Sequence, residues 1–156
     1  MRPIGRLQVG AGSLQRRSSG RRLSAIGATI VVFGAVPPWW TIGGAGLAPE
    51  VGNAFDTPGF LGFFAALVTL FLIVAPEAIE REIRADWWPI HLALAATAGL
   101  AFLAATLGAA VTATGSDLPL SSVFGLGSAP GLWITLVGLV VWGSGVAQLI
   151  DARDDR

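Results

Sequence analysis

The chain contains no cysteine, no tyrosine and no lysine, and its single histidine is His91. Without cysteine there is no disulfide, no thiolate nucleophile, no Cys-ligated zinc and no covalent haem attachment. One histidine is too few for a helical di-metal site, which draws Glu-x-x-His pairs from more than one helix. Charge is scarce as well: 13% of residues are Asp, Glu, Lys or Arg, against roughly 25% in soluble domains. No nucleophile is paired with a base in sequence, so acyl and phosphoryl transfer have no visible machinery.

What fills the chain instead is apolar. Hydrophobic residues make up 53% and mean hydropathy is +0.68. They gather in four runs, residues 23–40, 59–76, 89–112 and 131–150. At ~1.5 Å per helical residue, each run approaches or crosses a hydrocarbon layer of about 30 Å. The expected fold is therefore an all-α integral membrane protein, a bundle of four transmembrane helices. Pro37 and Pro38 should end the first helix near Val36, because proline lacks the backbone donor. Pro58-Gly59 and Pro130-Gly131 suit helix entries, where that donor would be unpaired in any case.

The densely charged passage between the runs is 76–89, which holds Glu77, Glu80, Arg81, Glu82, Arg84 and Asp86 before Trp87-Trp88-Pro89. It reads as a turn at a membrane surface. Residues 1–22 mix Gly, Ser and Arg with few adjacent apolar residues, so they are expected to form a disordered, Arg-rich tail. Residues 151–156 form a short charged end. With the N-terminus inside, all ten basic residues fall on the cytoplasmic side and the connections 41–57 and 113–130 have none. Orientation follows basic residues near span ends, so both termini are placed in the cytoplasm of a multi-pass plasma-membrane protein. The basic tail then meets anionic headgroups of the bilayer. Nucleic acid is not an expected partner, since no stacking aromatics interleave with the arginines.

Trp39, Trp40, Trp87, Trp88 and Trp133 fall at run ends and are expected to anchor at the headgroup level. Small residues recur along the third and fourth runs, notably Ala95, Gly99, Ala101, Ala105, Gly108, Gly138 and Gly143. In lipid such residues let helix backbones approach closely, so they are the expected packing positions and the third helix the most protein-buried. One fixed offset superposes Gly27 on Gly99, Gly43 on Gly115, Pro58-Gly59 on Pro130-Gly131 and Ala75 on Ala147. This suggests a helical hairpin duplicated in tandem about an axis along the membrane normal.

Chemistry-bearing residues are few. His91 lies about one turn into the third run, near Asp86, and Glu77-x-x-Glu80 puts two carboxylates on one helix face. Together Glu77, Glu80, Asp86 and His91 form a weak candidate polar site at the inner surface, with no cofactor or metal expected. A transport path would have to use Thr29, Thr69, Thr97, Thr106 and Ser144. The layout resembles that of small prokaryotic four-helix membrane proteins, with no single family picked out. Claudin-like proteins need an extracellular Cys pair, and small multidrug transporters need a carboxylate within the first span. Both are missing here. The function expected is that of a non-enzymatic structural or accessory subunit, binding a membrane partner or itself through small-residue helix faces or outer loops. A transporter or channel component is the alternative, and an interfacial lipid enzyme a third reading.

Overall fold

The computed structural model describes the backbone of residues 5–43, 48–79 and 88–154, and the side chains of 18–43, 48–75 and 88–152. Among the described residues 76% are helical. Helix α1 (Gly5–Gly34) leads into strands β1 (Trp40–Ile42) and β2 (Glu50–Gly52), followed by α2 (Phe60–Ile79), α3 (Trp88–Gly115), the short α4 (Leu120–Val123) and α5 (Pro130–Asp154). The helical backbone of α1 thus starts at Gly5, well inside the segment expected to be an irregular tail.

Two helices among the described residues are long and apolar enough to cross a membrane, Trp88–Gly115 and Pro130–Ala152. The expectation of four such helices meets two physical obstacles. In α1, Arg21 and Arg22 leave only Leu23 to Gly34 as an uninterrupted apolar stretch. In α2 the apolar part, Phe60–Ala75, falls in the class of at most 17 residues, which at ~1.5 Å per residue is about 25 Å, short of the ~30 Å of hydrocarbon.

The first connection is more ordered than a solvated loop. Strands β1 and β2 pair antiparallel with Thr41 opposite Val51, and Thr41 Oγ1 donates to the Ser128 carbonyl at 2.8 Å, tying the hairpin to the second connection. A single 3-10 turn, Ala54–Asp56, follows, and it carries a capping box. Phe55 N donates to Asn53 Oδ1 at 2.9 Å, while Asn53 N donates to Asp56 Oδ2 at 2.9 Å. Replacing a capping Asn by Ala removes an acceptor worth about 1 kcal/mol. Asn53→Ala should therefore speed hydrogen exchange at the Phe55 amide about fivefold, read by NMR in detergent.

The tightest pairing in the bundle is between α1 and α5, not on α3. Glycines recur at every seventh position on both helices, Gly20, Gly27 and Gly34 facing Gly145, Gly138 and Gly131 in antiparallel order. Seven residues are close to two helical turns, so each set stays on one face. A methyl group added at Gly138 would lie 2.8 Å from Val31 N, and one at Gly145 2.5 Å from Ser24 N. Such contacts leave room for no side chain, and the backbones meet as small-residue seams do in lipid.

Two apolar clusters fill the bundle axis. One joins Ala28, Val31, Ala65, Ala66, Ala98, Trp142 and Val146. The other, under the β-hairpin, joins Ala35, Trp39, Ala54, Phe102, Ala105, Ala129 and Leu132. The proposed tandem match does not extend to packing: Gly27 is pressed against Trp142, while its counterpart Gly99 has nothing within 4 Å of an added Cβ.

Candidate functional site

Near the end of the bundle that carries Arg21, each of the four long helices contributes one polar side chain to the interior. Ser24 of α1, Thr69 of α2 and Trp142 of α5 are 0% exposed, and His91 of α3 is 1% exposed. Their common level follows from helix register. Gly62 of α2 faces Ala98 of α3. Seven residues along each antiparallel helix, two turns towards the Arg21 end, bring Thr69 level with His91. Arg21 donates from its guanidinium to the Ile73 carbonyl at 3.2 Å, and one turn back from that contact on both helices lie Ser24 and Thr69. Trp142 packs through its backbone on Gly27, one turn from Ser24. The four residues thus lie at neighbouring levels of the bundle, with Ser24 Oγ against Gly145 in the α1–α5 seam. Among the described residues, Ser24 Oγ, Thr69 Oγ1 and Trp142 Nε1 have no hydrogen-bond partner, nor does the buried Thr135 Oγ1, which lies against Gly34 further along the same seam.

At the opposite end, a groove of about 210 Å³ runs between the β-hairpin and α3. Trp40, Glu50 and Thr57 line it from the hairpin side, and Ala104, Gly108 and Thr112, successive turns of one face, line it from α3. Glu50 is exposed. The Trp40 ring lies against Gly52 on the paired strand, which is why that strand carries glycine there.

The residues singled out from the sequence scatter over these features. Of the polar set, His91 is among the buried polar residues. Glu80 and Asp86 lie outside the described residues, as does the side chain of Glu77, so their convergence with His91 has no structural account. Trp39 turns into the protein rather than outward: it is 2% exposed, its ring meets Phe102 edge-on at 5.5 Å, and Nε1 donates to the Gly34 carbonyl at 2.8 Å. The Pro37-Pro38 turn folds it back under the hairpin. Trp40 is half-buried in the groove wall, Trp88 is half-buried at the start of α3, and Trp87 lies outside the described residues. Trp133 is exposed, with Nε1 donating to the Phe124 carbonyl at 2.9 Å.

Of the expected packing positions, Ala101 and Ala105 are buried, Ala95 is half-buried, and Gly138 lies in the α1–α5 seam. Among the described residues, nothing lies within 4 Å of a Cβ added at Gly99, Gly108 or Gly143, so these glycines face no described helix. Among the suggested path hydroxyls only Thr69 is buried. Thr29, Thr97, Thr106 and Ser144 donate to carbonyls of their own helices. Sequence reasoning missed Ser24, Trp142 and the seven-residue glycine series.

Fold and site together define a helical protein with two helices long and apolar enough to cross a membrane, an ordered cap of paired strands and a buried polar side chain on each long helix. No protein-family profile matches the chain, and no curated protein or solved structure matches it either.

Proposed function

We propose that this chain is a non-enzymatic accessory subunit of the plasma membrane, four helices threaded with both termini in the cytoplasm, that docks a partner membrane helix along α3. Its exterior supports membrane burial. Only 28% of the most apolar window of α3 and of α5 is buried, unlike the core helix of a soluble domain. Every long helix also turns a large apolar side chain outward, as at Phe33, Phe71, Leu100 and Val140, which are 62–71% exposed. Contiguous exposed apolar surface of this kind marks contact with lipid or a partner. The pairing of α1 with α5 from Gly20 to Gly34, and the contact of Arg21 with Ile73, support placing α1 and α2 at the same depth as α3 and α5.

The observation that carries the docking reading is the open face of α3. Gly108 and Ala104 sit in the groove with no neighbour filling it, while flanking Leu107 and Val111 are exposed. Small residues unused inside a bundle leave a site where another backbone can approach. A photo-crosslinking residue at Ala104 should give one defined protein adduct in native membranes, and the same residue at Val137 on α5 should give none. A dimer-sized adduct identifies a second copy, and another mass identifies a different protein. Lipid adducts alone at Ala104 would overturn the reading. Gly108→Leu, which fills the groove, should reduce the adduct yield several-fold. A transport role is the second reading, favoured by the buried Thr69 and His91 alone; flux through liposomes holding the purified protein tests it.

A further inference from the structure

The register of the β-hairpin decides which of its side chains share a face. Trp40 pairs with Gly52 and Ile42 with Glu50, and residues directly opposite on antiparallel strands point to the same side. Trp40, Ile42 and Glu50 are therefore on one face, and all three line the groove against α3. A Cβ at Gly52 would run into the indole, so glycine there makes room for it. Glu50 is the diagonal neighbour of Trp40, about 7–8 Å away, a spacing that an aromatic and a long side chain can bridge. Glu50 is also the only charged residue lining the groove among the described residues. The two hydroxyls there are already engaged: Thr57 Oγ1 donates to the Ala54 carbonyl and Thr112 Oγ1 to the Gly108 carbonyl, both at 3.1 Å. No basic side chain is described at this end of the bundle. Arg21, bonded to the Ile73 carbonyl, marks the opposite end, and neither residues 23–80 nor residues 85–152 hold an Arg or Lys.

We propose that the segment docking in this groove is a helix of a different protein that carries an arginine or lysine, placed to pair with Glu50 and to lie against Trp40. The inference rests on the docking reading of α3 and specifies its partner. While the groove is open, Glu50 is exposed to solvent. A helix laid along Ala104 and Gly108 strips that solvent away, and a carboxylate removed from water is costly unless it is paired. A basic side chain supplies the countercharge, and the indole offers the same cation a ring to rest on. A second copy of this chain does not fit. In the same membrane orientation it presents the same end, without Arg or Lys, and a two-fold axis beside α3 sets carboxylate against carboxylate. A zwitterionic lipid headgroup fits less well, because its ammonium comes with a phosphate that no basic residue here receives. The groove holds about 210 Å³, less than the roughly 300–1,000 Å³ of small-molecule sites. That is room for a side chain rather than for a free organic ligand.

The test carries the Ala104 crosslink in native membranes one step further: the adduct is digested and the attached peptide sequenced. The peptide should be foreign to this chain, with an Arg or Lys within about two helical turns of the crosslinked position. Glu50→Gln keeps the shape and removes the charge, and should lower the adduct yield about fivefold, the upper end for an exposed ion pair. Glu50→Asp should retain most of it. Asp117→Asn, at an exposed acid of the same end outside the groove, should change nothing. Glu50→Arg should abolish the adduct, and changing the partner's basic residue to Glu should restore it, which a misfolded hairpin would not permit. A dimer-sized adduct, a foreign peptide with no basic residue, or a yield unchanged in Glu50→Gln overturns the charge pairing and leaves docking on α3 in place. Lack of any protein adduct at Ala104 overturns the docking reading and this inference with it.

Discussion

Gly27→Ala destabilises the bundle by about 3 kcal/mol or more, at or beyond the usual range for overpacking, while Gly143→Ala on the facing helix leaves it as stable or slightly more so. The two substitutions are chemically identical and each improves helix propensity by up to ~1 kcal/mol. Packing alone decides the sign. A Cβ at Gly27 would overlap the backbone of Trp142 and come 2.7 Å from the Gly138 carbonyl, and none of these atoms can rotate away. The whole of α5 would have to withdraw, opening the seam at its centre and with it the contacts of Trp142, the largest fully buried side chain. At Gly143 an added Cβ meets nothing within 4 Å. Gly20→Ala should fall between them, because there two of the three nearest atoms belong to the flexible Leu149 side chain. Thermal unfolding in mild detergent, followed by the monodisperse fraction on gel filtration, orders the three variants. Equal losses at Gly27 and Gly143 would mean that the α1–α5 pairing is not the one described here.

The ease with which these features could be read in advance varied with the physics behind them. Helix positions were legible, because long apolar runs broken by Pro-Gly and by charge have few other solutions. Helix partners were not. Small residues are densest on α3, which made α3 the expected centre of packing, yet Gly99 and Gly108 face outward. Density of small residues reports how closely a backbone can be approached, but not from which side. The signal that did specify a pair was phase: glycines at every seventh position on α1 and α5, readable only when two segments are compared in opposite directions. The burial of Trp39 was hidden for a related reason. A tryptophan after Pro-Pro at the end of an apolar run fits a headgroup anchor, but the same prolines turn the chain back over the bundle and bury the ring against Phe102. Of the buried polar residues only His91 stood out, since it is ionisable. Ser24, Thr69 and Thr135 look like any helical hydroxyl until the structure shows that they, unlike Thr29, Thr97, Thr106 and Ser144, have left their own carbonyls unbonded.

The threading of the chain gives an all-or-none result, and the lack of cysteine makes it clean to measure. Single cysteines at Ser19, Val51, Ser116 and Asp151, each exposed, can be probed in intact cells with a membrane-impermeant maleimide. Four spans with both termini inside predict that Val51→Cys and Ser116→Cys react, and that Ser19→Cys and Asp151→Cys react only after permeabilisation. If only α3 and α5 crossed, Ser116 would still be outside and Asp151 inside, but Val51 would remain with Ser19 in the cytoplasm. Val51 is thus the residue that separates the alternatives. Two forces set its side. All ten basic residues lie outside the stretch from Leu23 to Glu80, so no arginine on the hairpin holds it in the cytoplasm. Against crossing stands the shortness of α2, about 5 Å less than the hydrocarbon thickness, a mismatch that costs only fractions of a kcal/mol per Å when the bilayer thins or neighbours shield it. Helix α3, which α2 meets at Gly62 and Ala98, supplies such a neighbour, and the Thr41 bond to Ser128 joins the hairpin to the connection that precedes α5. The cost of a short helix is thereby smaller than that of unzipping the tightest contact in the molecule. Val51→Cys should be labelled from outside, and its protection in intact cells would reduce the fold to two spans with α1 and α2 on the cytoplasmic surface.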